Sequence, residues 1–284
     1  MSEPGSSTER PAGPASLSWA LAPGALAVPR DEVHVWRTGL DMSPERLDQL
    51  AETLAEDERA RASRFRFPRD RHHSIAARGI LRDILARYLG RDPAAIRFRY
   101  GAAGKPALAR HRGAPDLRFN VSHSHGLALY SITCGRHTGV DVERIEPRVA
   151  AEPIAERFFS AREVLALRAL PAESRVEEFC NGWTRKEAYV KARGGGLAIP
   201  LDSFDVPLTT EDGGDGGVLL RVHHLRPGAS AWSVEALAPG PGYVGAVAAK
   251  GCDWRVRLWQ LSADRKALAQ SDAGVDGRAA RGAL

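Results

Sequence analysis

Two short stretches hold side chains whose types and spacing suit joint chemistry. In Gly139-Val140-Asp141-Val142-Glu143, strand alternation sends Asp141 and Glu143 to one face and Val140 and Val142 to the other. In the segment Trp183-Thr184-Arg185-Lys186-Glu187-Ala188-Tyr189-Val190-Lys191, a helical period gathers Phe179, Trp183 and Val190 into an apolar stripe. It sets Glu187 one turn before Lys191 along the edge of that stripe. Combined, Asp141, Glu143 and Glu187 offer three hard oxygen ligands, suited to Mg²⁺ with Mn²⁺ as the alternative, and Lys191 adds a cation beside phosphate oxygens. Taken singly, each stretch has an ordinary reading. The first is a solvated acidic strand face; the second is a helical ion pair that stabilises by about 0.2–0.5 kcal/mol.

Two further stretches could extend such a site. Phe119-Asn120-Val121-Ser122-His123-Ser124-His125 sets hydroxyls and imidazoles just after an apolar strand start, where each can hydrogen-bond to phosphate. A zinc site at His123 and His125 lacks a third nearby ligand. Gly101-Ala102-Ala103-Gly104-Lys105-Pro106 reads as a turn presenting Lys105. It is not a P-loop, because the spacing differs and no Ser or Thr follows the lysine. Lysine occurs only at positions 105, 186, 191, 250 and 266 among 40 basic residues, so three lysines in these blocks read as a group around an anion, with solvent or backbone as the alternative partner of Lys186.

The elements that must position these groups follow from capping and periodicity. Ser43-Pro44-Glu45 predicts a helix start, with Leu47, Leu50 and Leu54 on one face. A second helix is expected over Arg71 to Leu89, ended by Gly90. Arg97 to Tyr100 alternates as a strand, Leu117 to Thr133 reads as a hairpin through His125-Gly126, and Gly139 to Ile145 as another strand. Ser160 with Glu163 three residues on predicts a capping box, and a further helix runs from about Ser174 to Arg193, stopped by Gly194-Gly195-Gly196. Strands are expected at Ser203 to Leu208, Val218 to Leu225, Trp232 to Leu237, Tyr243 to Ala249 and near Arg255 to Leu261. Each half reads as helices first and strands after, which predicts an α+β chain of two similar halves. The boundaries are 31–138 and 139–261, with flexible tails at 1–30 and 262–284.

Composition narrows the partners. With 284 residues, 43% hydrophobic content, a formal net charge of +5 and a pI near 9.4, the chain is apolar enough to fold and basic enough to seek an anion. Cys134, Cys180 and Cys252 form no metal spacing and, being odd in number, no disulfide framework, which points to a reducing cytoplasm. The apolar stretch Leu17 to Val28 is broken by Pro23 and Gly24 and makes a poor signal peptide. No run reaches the roughly 20 apolar residues of a bilayer span, so no membrane partner is expected.

Taken in order, Asn120-Val121-Ser122-His123, Gly139 to Glu143 and Trp183 to Lys191 resemble the 4′-phosphopantetheinyl transferases, in particular the single-chain Sfp type. Arg64-Phe65, Gly104-Lys105-Pro106, Arg157-Phe158-Phe159-Ser160 and Leu201-Asp202-Ser203-Phe204 support the resemblance, which covers roughly residues 57 to 250. It implies a pseudo-two-fold fold with the active site in the cleft between the halves. It also implies transfer of the phosphopantetheine arm of coenzyme A to a serine of an apo acyl or peptidyl carrier protein, releasing adenosine 3′,5′-bisphosphate. By the same resemblance Asp141, Glu143 and Glu187 are the metal ligands and Lys191 meets the diphosphate. Glu187 takes the serine proton, directly or through a metal-bound water, while Ser122, His123 and Lys105, with Arg61 and Ser74, contact the coenzyme. Glu58 and His72-His73 depart from the pattern near the 3′-phosphate contacts. The enzyme is expected to act as a monomer in fatty-acid, polyketide or nonribosomal-peptide synthesis. The alternative is a non-catalytic homologue that binds a carrier protein or a nucleotide. Nucleic acid is not an expected partner, because no recognition helix, zinc finger or aromatic RNA-binding strand is evident.

Overall fold

In chain order the elements are β1 (Ala20–Leu21), β2 (Glu32–Gly39), α1 (Pro44–Thr53), α2 (Glu56–Ala62), α3 (Pro68–Leu89), β3 (Phe98–Tyr100), β4 (Pro106–Leu108), β5 (Leu117–Ser124), β6 (Leu127–Cys134), β7 (Thr138–Arg144), α4 (Ala151–Phe158), α5 (Ala161–Ala169), α6 (Arg175–Arg193), β8 (Phe204–Asp205), β9 (Val218–Leu219), β10 (Arg221–Val222), β11 (Trp232–Gly240), β12 (Tyr243–Lys250) and β13 (Arg255–Gln260). They come from a computed structural model that describes residues 18–101, 104–109, 113–195, 198–209, 218–219, 221–222 and 231–261. Among these, no helix is long and apolar enough to cross a membrane.

Local chemistry explains most boundaries. The Ser43 hydroxyl accepts the Arg46 amide at the start of α1, and Pro44 occupies the first turn, where its missing N–H costs nothing. The α5 start is a reciprocal box: Ser160 Oγ accepts the Glu163 amide and Glu163 accepts the Ser160 amide. Gly90 (φ 59°) and Gly194 (φ 73°) end α3 and α6 in the left-handed conformation that favours glycine. The β5–β6 turn places His125 (φ 46°) and Gly126 (φ 88°) both at positive φ, as a tight hairpin with the strand twist demands. Helix α2 lacks a capping hydroxyl, and Glu58 instead reaches back to the Ala55 amide at 2.8 Å. The same carboxylate is buried against Arg82 at 2.6 Å, so the Glu58 departure has a structural use.

The strands form two main sheets, ordered β1-β13-β2-β6-β5 and β7-β12-β11-β9, with small ribbons β3-β4 and β8-β10. In the first sheet, β2 pairs antiparallel with β6, the second strand of the β5–β6 hairpin. In the second, β7 pairs antiparallel with β12, the second strand of the β11–β12 hairpin. Helix α3 buries Ala76, Ile80, Leu81 and Ile84 in a cluster with Trp36, Phe119 and Tyr130 of the first sheet. Helix α6 buries Ala188, Tyr189 and Ala192 in a cluster with Val234, Ala246 and Ala248 of the second. A third cluster, including Val33, Val35, Leu129, Val140, Val142 and Val247, joins the two sheets.

The structure corrects several boundaries. Residues 18–30 are part of the fold rather than of a tail, since β1 pairs with β13 and both Ala22 and Val28 are buried. A strand, β2, opens the first half, so the helices do not come first there. Helix α3 begins three residues early, at Pro68, and the strand expected over Ser203 to Leu208 shortens to Phe204–Asp205. Of the strand expected over Val218 to Leu225, only β9 and β10 fall within the described residues, and positions 1–17 and 262–284 lie outside them.

One close approach sets the site. A Cβ built on Gly139 would stand 2.2 Å from the Ala188 carbonyl oxygen and 2.3 Å from the Ala192 nitrogen. Only glycine lets β7 lie this directly on α6.

Candidate active site

Strands β5 and β7 are edges of different sheets, and alternate side chains of β5 reach across to β7. Asn120 Oδ1 accepts the Val140 amide at 3.0 Å. Ser122 Oγ donates to Asp141 Oδ1 at 2.7 Å, and Ser124 Oγ donates to Glu143 Oε2 at 2.9 Å. From the other side α6 extends Lys191, whose Nζ lies 2.6 Å from Asp141 Oδ1 and 3.0 Å from Ser122 Oγ. Glu187, one turn earlier on α6 and half-buried, has no hydrogen bond or ion pair among the described residues. The ordinary alternative, a solvated strand face, is therefore not what forms: Asp141 is only 2% exposed.

The site holds more negative charge than it neutralises. Burial raises the Asp141 carboxyl above its ordinary value, against the pull of the Lys191 ammonium and the Ser122 hydroxyl. Glu143 is raised by burial and then by the Asp141 charge, offset in part by the Ser124 bond. Glu187 is raised for the same two reasons, with Lys191 opposing. Asp141 Oδ2 is buried with no hydrogen-bond partner, which an added cation would satisfy. Among the described residues no group of three or more His, Cys, Asp or Glu side chains is drawn together as a ready metal cage. Asp141, Glu143 and Glu187 therefore do not converge as a three-carboxylate cage here, and it is the unpartnered Asp141 Oδ2 that favours a cation. The donor set of Asp141, Glu143 and Glu187 thus fits a hard divalent cation that brings much of its own shell.

Other expected residues are placed unevenly. His123 is exposed on β5; desolvation, then the charges of His73 and Lys191, hold its imidazole below the ordinary value. His73 Nε2 lies 2.8 Å from Asp41 Oδ1. His125, in the hairpin turn, is 3.5 Å from Glu146 and shares no ligand set with His123. Lys105 directs its ammonium to the backbone oxygens of Thr138, at 3.3 Å, and Lys191. Burial, with the charges of Lys191 and Arg118, lowers it to about 8. Arg61 stands with its guanidinium 3.9 Å above the Tyr100 ring and pairs with Asp57 at 2.8 Å. Ser74 is half-buried on α3.

Lys186 leaves the group to which its lysine neighbours suggested it belonged. It is fully buried, 2.7 Å from Glu163 and hydrogen-bonded to the carbonyls of Leu201 and Phe204. The sequence motifs give Asn120 and Ser124 no role as tethers to β7, although the Asn-x-Ser-x-Ser alternation of β5 places both on the Ser122 face.

Comparison with known proteins shows the family. Residues 137–248 match the 4′-phosphopantetheinyl transferase superfamily, and residues 40–132 match the 4′-phosphopantetheinyl transferase N-terminal family. The chain is 41% identical to the 4′-phosphopantetheinyl transferase HetI of Nostoc sp. (strain PCC 7120), over 85% of this chain and 98% of that protein. It is 31% identical to the 4′-phosphopantetheinyl transferase Sfp of Bacillus subtilis (strain 168), over 59% of this chain and 72% of that one. It is also 31% identical to the 4′-phosphopantetheinyl transferase ffp of Bacillus subtilis, over 78% and 93%.

Proposed function

The chain belongs to the 4′-phosphopantetheinyl transferase superfamily, and from that membership we propose that its β5–β7–α6 junction is where the phosphopantetheine arm of coenzyme A passes to a carrier protein. The protein is an enzyme of this class, acting on apo carrier proteins with coenzyme A. The observation that carries the placement is the Asp141 carboxylate, buried between Ser122 and Lys191 with one oxygen left over.

In this reading Asp141, Glu143 and Glu187 would hold Mg²⁺, which would supply positive charge to the coenzyme diphosphate. Lys191 and Ser122 orient Asp141 and present an ammonium and a hydroxyl toward the same diphosphate. His123, exposed beside Lys191, faces phosphate from the β5 side. Glu187, pushed up by burial and without a protein partner among the described residues, accepts the proton of the carrier serine directly or through a water. The serine oxygen forms a bond to the phosphorus that bears the pantetheine arm. The bridging P–O bond breaks, and the electron pair leaves on adenosine 3′,5′-bisphosphate. Cationic groups set in place beforehand lower the barrier as charge moves to the leaving oxygen. Lys105 steadies the carbonyl end of the Lys191 residue and reaches coenzyme phosphate only by exchanging those bonds. Arg61 and Ser74 border the coenzyme from α2 and α3.

The division at 138/139 into similar halves flanking a cleft is supported by β2 beside β6 and β7 beside β12, while β13 of the second half crosses over to join the first sheet. Work in the cytoplasm is supported by the three free cysteines, and service to fatty-acid, polyketide or nonribosomal-peptide assembly by the membership itself. The test is mass spectrometry of apo carrier proteins incubated with the enzyme, coenzyme A and Mg²⁺. Gain of the phosphopantetheine mass is expected. No gain across several acyl and peptidyl carrier proteins would favour a non-catalytic binding module.

A further inference from the structure

Strand β3 has two faces: Tyr100 lies under Arg61, while Arg97 and Arg99, by alternation, point the other way. On that second side a cavity of about 690 Å³ opens between the β3–β4 ribbon, the start of β5 and the C-terminal end of α6. Ile96, Leu108, Leu117 and Phe119 give it apolar walls. Arg91, Arg97, Arg99, Lys105, Arg118 and Arg193 surround them, and Asp116 is the one carboxylate among the described lining residues. The local surplus of positive side chains equals the formal net charge of the whole chain, +5.

These cations have few anionic partners. Arg118 divides itself between Asp116 at 3.1 Å and His137 at 2.5 Å. Arg193 donates to the Tyr189 hydroxyl at 2.7 Å. Arg97 and Arg99 donate only to neutral backbone carbonyls among the described residues. His137, on the wall, is lowered by burial and then by the charges of Arg118, Lys105 and Lys250. A lone solvated arginine needs no explanation, but six like charges around one concave space repel each other until an anion arrives. The volume lies in the usual range of small-molecule sites, about 300–1,000 Å³. None of Asp141, Glu143, Glu187 or the Lys191 side chain lines it.

We infer that this cavity is a second anion site, separate from the candidate active site, for a phosphorylated small molecule with an apolar portion. Arg97, Arg99 and Arg118 fork onto the phosphate oxygens, as guanidinium groups do in pairs of parallel hydrogen bonds. Phe119, Leu117 and Leu108 cover the apolar part. Lys105 is the one lining cation also assigned to the coenzyme; Arg97, Arg99 and Arg118, which carry the inference, have no part in the transfer chemistry.

The experiment is calorimetric titration of inorganic pyrophosphate into the full chain in metal-free buffer, for the unaltered protein, Arg97→Ala/Arg99→Ala and Lys191→Ala. Circular dichroism confirms that each variant is folded. Binding is expected to persist in Lys191→Ala and to weaken about tenfold or more in the double arginine variant. The double variant should keep kcat and the KM for coenzyme A. The inference is overturned if pyrophosphate does not bind, or if binding disappears with Lys191 and survives loss of the arginines. It is equally overturned if the arginine variant raises the KM for coenzyme A in step with its loss of pyrophosphate, because the cavity would then belong to the coenzyme site.

Discussion

Helix α6 carries two lysine–carboxylate pairs that look alike by distance and differ in completeness. Lys186 lies 2.7 Å from Glu163, and Lys191 lies 2.6 Å from Asp141. Around the first pair every polar atom is used: Lys186 gives its remaining protons to Leu201 and Phe204, and Glu163 also accepts the amides of Ser160 and Val206. Around the second pair, Asp141 Oδ2 has no partner, Glu187 has none among the described residues, and Lys191 is partly open to water. A closed set of bonds holds α6 to α5 and the chain around β8. An open set little more than one turn further along the same helix leaves room for something the chain does not supply. The difference teaches that pair distance says little about role, whereas unfilled valence separates architecture from chemistry.

The sharpest break in that comparison is a change on the closed side. Lys186→Met strands Glu163 as an uncompensated buried charge and should cost about 3–5 kcal/mol of stability, read from urea unfolding. Lys191→Met should cost clearly less while abolishing turnover; equal stability losses would erase the distinction. Next in size, Glu187→Gln keeps volume and removes charge. Turnover should fall about a hundredfold or more with the melting temperature nearly unchanged. Near-native turnover would remove Glu187 from the reaction.

The smallest expected effect contrasts Glu163 with Glu235 on β11, a half-buried carboxylate with no hydrogen bond or ion pair among the described residues. Burial raises Glu235 from an ordinary 4.5 to about 7. Its folded value exceeds its unfolded one, so its contribution to stability is full below pH 4.5 and is lost as pH rises toward 7. Glu235→Gln should therefore flatten the decline in melting temperature across that window. Superimposable pH profiles for the two proteins would show that Glu235 ionises without penalty.

Much of this was legible in the sequence where the physics is local. Ser43, Ser160 with Glu163, Gly90 and Gly194 mark helix ends because caps act over one turn. The spacing of Asp141 to Glu143 and of Glu187 to Lys191 foretold shared faces because strand and helix periods are fixed. Strand β2 is not legible locally because its polar residues are buried through distant partners: Glu32 meets Arg255 at 3.0 Å and Arg257 at 3.3 Å, and His34 meets Tyr88 of α3 at 2.7 Å. Helix α2 was only partly visible because its cap is the carboxylate of Glu58 rather than a hydroxyl. Ser124 and the true role of Lys186 depend on which strands become neighbours. That is a long-range outcome to which no short window has access.

Gly139 makes the same point in the language of inheritance. A glycine codon altered at one base encodes alanine, serine, valine, cysteine, aspartate, glutamate, arginine or tryptophan, or a stop, and every one of those residues brings a Cβ. Between the Ala188 oxygen and the Ala192 nitrogen there is no room for that carbon. A lineage could reshape the carboxylates or the arginine cavity by small steps, but at position 139 the smallest available step already lifts the helix that carries Glu187 and Lys191 off its strand.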